Sequence, residues 1–313
     1  MSIFRKPSIA KIGLKVLGYG GFGVGKSTFG LSFPKIVAID SEAGLSMYEG
    51  NPNILLIVNT SSVSDVEEGI SEIEDMEGVG TFLIDSETKV YDSMQVSAME
   101  VEEKRAKKKG GDVQDATVSV KGWGKIKLLN KKIQNLKIDL SSKGTHIVSI
   151  SQMEDVKEKR GENFVKIGDK PSMAKGIEYD YDIVVKLFTE TNTKGVEVYK
   201  GLVEKDRTGV FKKGDIIDNP SYDYWKSYCE KNADLQERTV SYSKDVEKDI
   251  EKMQEDSDKI DDLITEFKSV MKGLTKDNQV KVQKKLKDLG IENPLKTDNH
   301  EGMTNLLEYM KAL

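Results

Sequence analysis

Gly20-Gly21-Phe22-Gly23-Val24-Gly25-Lys26-Ser27-Thr28 contains the whole pattern G-x-x-x-x-G-K-[ST], and its reading decides the fold. The apolar residues Leu14 to Leu17 lead in as a strand and Lys26 opens a helix, so the glycines fall on the strand-to-helix turn that a phosphate loop requires. In such a loop main-chain N–H groups converge on phosphate oxygens, and side chains at the glycine positions would block the approach. Lys26 is expected to reach the β- and γ-phosphates, and the Ser27 hydroxyl to face Mg²⁺. The expected ligand is therefore a nucleoside triphosphate with its magnesium ion. No guanine-reading N-K-x-D occurs, which favours ATP.

Outward from the loop, short apolar runs alternate with helical patterns: Leu14–Leu17, Ile36–Ile39, Ile54–Val58, Phe82–Ile84, His146–Ile150 and Ile183–Phe188. Runs of this length between turn signals read as buried parallel strands, predicting an α/β, doubly wound, mainly parallel sheet with ligands at the carboxyl ends of its strands. Past Tyr228 the character changes. From Val246 to Leu274 apolar residues recur every three or four positions, interrupted at Ser257, and predict one long amphipathic helix. Helical pattern returns at Val280–Leu289 and Met303–Leu313. The expected organisation is a core over 1–229, a linker over 230–243 and an appended all-α region over 244–313.

The chain has 313 residues, 37% hydrophobic and 32% charged, with a net charge of −5. That balance excludes wholesale basic binding to nucleic acid but permits a local basic site. One cysteine, Cys229, excludes an internal disulfide, and His146 and His300 stand too far apart to suggest a structural metal site. The N-terminus carries Arg5, Lys6, Pro7 and Lys11 without an apolar signal region, and no run approaches a membrane span. The expected setting is soluble and cytoplasmic, with no membrane partner.

Six further elements carry chemistry. Ile36–Ile39 runs into Asp40-Ser41-Glu42, where Glu42 is the candidate base for the attacking water; an acid at a strand end also serves as a helix cap, and the residues alone leave both readings open. Phe82-Leu83-Ile84-Asp85 is a hydrophobic strand closed by an acid, the Walker-B pattern, with Asp85 holding Mg²⁺ through water. The strand His146–Ile150 continues to Gln152, an amide able to sense the γ-phosphate. After it, Met153–Lys175 carries six cations against five acids and reads as a mobile loop; Lys157, Lys159, Arg160, Phe164 and Lys166 are the candidates for contacting a single DNA strand. The basic run Lys104–Lys109 is a second candidate, or a solvated helix end. Finally, Lys205 and Arg207, two apart in a strand, point to one face and could neutralise a neighbour's γ-phosphate.

In this order the elements resemble the RecA-type recombination ATPase core. More closely, the chain is similar to phage-encoded NTP-binding proteins of the AAA type, including the RecA-like single-strand annealing recombinases of the Sak-four group. The resemblance rests on Gly20–Thr28, on Ile39-Asp40-Ser41-Glu42-Ala43-Gly44, on Leu83-Ile84-Asp85-Ser86, and on Lys205-Asp206-Arg207-Thr208-Gly209. It spans roughly residues 10–225. It implies that Glu42 is the hydrolytic glutamate, that Gln152 couples nucleotide to DNA, and that Lys205 and Arg207 act in trans within a homo-oligomer. The last element departs from the K-N-R-F-G of the RadA branch at Asp206 and Thr208. No long oligomerisation segment of the bacterial RecA kind precedes the core, so ring and filament both stay open. The implied function is a phage recombination or replication ATPase that binds single-stranded DNA and promotes annealing or recombinase loading, beside a phage or host replication or recombination protein. Two rivals remain: a nucleotide-dependent switch or scaffold gripping a partner through the C-terminal helices, and a ring-forming DNA motor.

Overall fold

The apolar runs become the strands of one sheet in the computed structural model, which describes residues 4, 10–232, 234–235 and 240–313, with backbone alone at 255–258. Arg5, Lys6, Pro7, linker positions 233 and 236–239, and the Ser257 side chain lie outside the described residues. In chain order the first elements are β1 (Lys15–Gly20), α1 (Lys26–Leu31), β2 (Ile36–Asp40), β3 (Ile54–Asn59), α2 (Val63–Asp75), β4 (Thr81–Asp85), α3 (Glu87–Lys108) and α4 (Val120–Ser142). They are followed by β5 (His146–Arg160), β6 (Asn163–Pro171), β7 (Ile183–Thr191), β8 (Glu197–Asp206), β9 (Ile216–Asp218) and α5 (Asp223–Lys231). Caps fix the helix starts where the sequence supplies an acceptor: Ser62 receives the Asp65 N–H and Ser119 the Gly122 N–H.

The strands lie in the order β3-β2-β4-β5-β1-β7-β8-β9, with β6 hydrogen-bonded to β5 off that path. β3, β2, β4, β5, β1 and β7 run parallel, while β8 and β9 close the sheet antiparallel. Helices cover both faces. One core layer gathers Phe29, Leu83, Ile150, Val185 and Trp225; the other gathers Ile39, Ile70, Phe82, Ile133 and Ile147. Parallel strands buried on both sides need such continuous apolar runs, which is why these segments stood out in the sequence.

Met153–Lys175 departs from the expected mobile loop. β5 passes Gln152 without a break and runs on to Arg160, and β6 returns from Asn163 to Pro171 as its antiparallel partner. Gly161, with φ 65°, makes the turn. Cross-strand pairs hold the ribbon: Lys166 bridges Asp155 at 2.8 Å and Lys170 meets Glu154 at 2.8 Å, while Lys166 also meets Asp169 of its own strand at 2.6 Å.

Contacts divide the chain into two units, 1–243 and 244–313. Three helices build the second: α6 (Tyr242–Gly273, beginning just before the division), α7 (Lys276–Asp288) and α8 (His300–Lys311). Ile264 and Phe267 pack there with Val282, Leu286, Met303 and Leu307. No helix among the described residues is long and apolar enough to cross a membrane.

Candidate nucleotide site

Strand order builds the site. β5 is inserted between β1, which delivers the phosphate loop, and β4, which delivers Asp85; in register Gly20 faces Gln152, and Asp40 faces Asp85. The carboxyl ends of β1, β2, β4 and the middle of β5 thus meet at one rim.

The loop itself requires glycine at two places for different reasons. A Cβ on Gly20 would stand 2.4 Å from the Leu187 carbonyl oxygen of β7, so the backbone contact excludes any side chain. Gly25, at φ 83°, takes the left-handed conformation at the entrance to α1. Lys26 folds back so that Nζ donates to the Gly21 carbonyl oxygen. Burial lowers its pKa, opposed by the nearby Asp85 and Glu42 carboxylates.

Asp85 is buried and its carboxyl is pushed up to about 6, foremost by desolvation, with Glu42 and Asp40 adding repulsion and a Ser27 hydrogen bond opposing it. Its neighbour Asp40 is engaged structurally: it accepts from the N–H groups of Gly44 at 3.0 Å and Leu45 at 2.9 Å and from Asn59 Nδ2 at 3.1 Å, pinning the turn after β2. Two carboxylates, Asp85 and Glu42, act on one lysine here, and Asp40 adds its charge behind Asp85. A hard divalent cation relieves that imbalance, and the Ser27 hydroxyl with the Asp85 carboxylate is the all-oxygen donor set that Mg²⁺ prefers, so these residues fit the ion.

Glu42 and Gln152, 110 positions apart in the chain, meet directly: Gln152 Nε2 donates to Glu42 Oε1 at 2.9 Å. The same Glu42 oxygen accepts from Ser86 Oγ. Ser86 follows a cis peptide bond after Asp85. Ser41 staples β2 to β4, its Oγ donating to the Ser86 carbonyl and accepting the Ser86 N–H, both at 2.8 Å. Thr88 Oγ1 fixes Gln152 from below by accepting its N–H at 2.9 Å. Ser41, Ser86 and Thr88 escaped the sequence reading because serine and threonine beside a strand end carry no distinctive pattern.

Deeper, Lys137 of α4 is wholly buried against Glu87, with Ser149 Oγ at 3.2 Å and Tyr181 Oη at 3.4 Å. Burial lowers the Lys137 pKa, and Glu87 opposes it. A lysine on an amphipathic helix reads as solvent-exposed, so this pair was invisible in the sequence. Tyr199 of β8 was missed too. Its ring lies 3.1 Å from the point where a Gly25 Cβ would stand, and with Val24, Thr28, Phe29, Leu187 and Pro220 it lines a cavity of about 390 Å³ beside the phosphate loop.

Lys205 and Arg207 do converge, both donating to the Tyr179 carbonyl, at 2.9 and 3.4 Å, and Arg207 also meets Asp182 at 3.2 Å. They lie at the other end of the sheet, however. Lys205 pairs with Val184, which is level with Leu17, and Asp182 is bonded to Lys15 at the start of β1. About five strand residues, or roughly 16 Å, separate Arg207 from the chain's own phosphate loop.

On the ribbon, Lys159 faces Phe164 and Lys157 faces Lys166, so these four share a face while Arg160, opposite Asn163, falls on the other. Arg160 is paired with Glu158 at 2.9 Å and Lys166 with its two aspartates, which raise its pKa to about 12. Lys157 and Lys159 have no ion-pair partner among the described residues.

A family model described as an AAA domain matches residues 12–218, which takes in the phosphate loop, Glu42, Asp85, Gln152, Lys205 and Arg207. No curated protein matches the chain.

Proposed function

The chain belongs to the AAA domain family, and from that premise we propose that it is an ATPase of phage DNA recombination or replication, RecA-like and akin to the Sak-four annealing group. It binds single-stranded DNA, assembles with ATP at subunit interfaces, and promotes annealing or recombinase loading. The observation that carries the reading is the 2.9 Å bond from Gln152 to Glu42 at the mouth of the phosphate loop, on a strand that continues into an exposed ribbon.

In this reading Lys26 exchanges the Gly21 carbonyl for phosphate oxygens. Ser27, and Asp85 through water, would hold Mg²⁺, which would supply neutralisation of the phosphate charge. Glu42, oriented by Ser86 and Gln152, positions the attacking water and accepts its proton. Gln152 changes partner as the γ-phosphate comes and goes, and the ribbon rooted on it follows. The cavity under Tyr199 receives the nucleoside. Arg207, too far from its own site, serves the neighbour's in an oligomer.

ATP turnover measured with and without single-stranded DNA, on the intact protein and on Lys26→Ala, tests the proposal. DNA-stimulated turnover that vanishes in the variant supports it; turnover indifferent to DNA refutes the recombination role. The exposed stripe Val246, Ile250 and Met253 on α6 favours a second reading, a nucleotide-dependent scaffold. Placing lysines at Ile250 and Met253 should then abolish partner capture and leave DNA stimulation intact.

A further inference from the structure

The cavity of about 860 Å³ between α3, α4 and the segment 174–180 belongs to neither the nucleotide site nor the ribbon. One face of α4 supplies most of its wall: Trp123, Lys127, Asn130 and Gln134 follow one another at three- to four-residue spacing, with Lys131 one turn after Lys127. Tyr91 and Lys175 also line it, and Asp180 is its single acid among the described residues. Two features point to one ligand chemistry. Trp123 is 45% exposed although it is one of two tryptophans in the chain, so a planar apolar surface is held open. Lys127, Lys131 and Lys175 have no ion-pair partner among the described residues, in contrast to the self-neutralised Lys166 and Arg160 of the ribbon. Gln134 is buried in the wall, its Nε2 shielded from solvent and interacting with the Tyr181 hydroxyl.

An aromatic platform and a cationic track are what a nucleotide unit needs for its base face and its phosphates. We propose that this groove binds nucleotide units of a single strand, with bases on Trp123 and Tyr91 and backbone along Lys127, Lys131 and Lys175. The inference rests on the proposed DNA binding and relocates its principal contact from the ribbon to α4.

The test uses the full chain and an end-labelled oligodeoxythymidylate of about 20 nucleotides. Anisotropy of the label reports strand binding wherever it occurs, and tryptophan emission reports the groove, because Trp225 is wholly buried with Nε1 bonded to Asp206 at 3.0 Å and supplies a constant background. Expected are saturable quenching by the oligonucleotide, its loss in Trp123→Phe, and affinity about tenfold weaker in Trp123→Ala, the loss of one stacked base. Lys127→Ala and Lys131→Ala should each flatten the salt dependence by about 0.7 in log–log slope. Strand binding without quenching, unaffected by these variants but lost in Lys157→Ala/Lys159→Ala, overturns the groove and leaves the DNA reading standing. No anisotropy change overturns both. Equal quenching by thymidine monophosphate at the same concentration overturns the strand as the source.

Discussion

Asp85→Asn should stabilise the magnesium-free protein while abolishing turnover. The Asp85 carboxyl titrates at about 6 against an ordinary 3.8, chiefly because burial penalises its charge. A folded-state pKa above the unfolded value means that the favourable contribution is complete below about pH 3.8 and is lost as pH rises through about 6. The two-unit gap amounts to about 3 kcal/mol of destabilisation at pH 8 and about 1.6 kcal/mol at pH 5. Asparagine keeps the shape and can accept the Ser27 hydrogen bond, but it never ionises. Urea unfolding in EDTA, followed by Trp225 emission, should therefore show the variant more stable by those amounts at the two pH values. The difference between proteins is the quantity to read, because His146 contributes an opposite slope of its own. Magnesium with nucleotide should then stabilise the wild type more than the variant. A variant no more stable than wild type at pH 8, or a gain equal at pH 5 and pH 8, would refute the reasoning.

Lys137→Met leaves Glu87 buried without its cation and should cost about 3–5 kcal/mol in urea unfolding; adding Glu87→Gln should recover most of that loss, and no recovery would show that the pair is not the unit of energy. His146 is held neutral, its pKa lowered to about 4 by burial, with Nδ1 accepting the Leu14 N–H at 3.0 Å. Since its folded pKa lies below the unfolded 6.5, stability should fall by about 3 kcal/mol as pH drops from 6.5 to 4, and His146→Gln should remove that acid sensitivity from the unfolding curve. Arg207→Ala should bind nucleotide normally and lose turnover, and mixing it with Glu42→Gln chains should restore part of the activity. Mixed chains as inactive as either parent would argue against a shared interface.

The phosphate loop was legible because glycine and lysine at fixed spacing leave little latitude, and the parallel strands because doubly buried segments must be apolar throughout. The ribbon was not. Glu154, Asp155, Lys157, Glu158 and Lys159 look like a solvated loop, and their extended form comes from the antiparallel ladder with β6, which no window along the chain displays and to which the pairs of Asp155 with Lys166 and Glu154 with Lys170 add. Parity correctly put Lys205 and Arg207 on a common side, but only the antiparallel register of β8 reveals which end of the sheet they occupy. Lys137 and Tyr199 gain their meaning from what surrounds them, and spacing says nothing of surroundings. The meeting of Glu42 with Gln152 depends on β5 lying between β1 and β4, a matter of strand order rather than of local sequence.

In the proposed reading β5, which runs from sheet into ribbon as one strand with a register shift at Val156–Lys157, would act as a beam hinged at Gln152. Eight residues of extended chain carry its tip roughly 26 Å from the pivot, so a tilt of about 10° at the γ-phosphate would sweep Phe164 and its neighbours through roughly 4–5 Å. A floppy connection would dissipate that displacement; a stiff one multiplies it, turning a change of hydrogen-bond partner at one amide into a stroke as wide as the gap between adjacent strands.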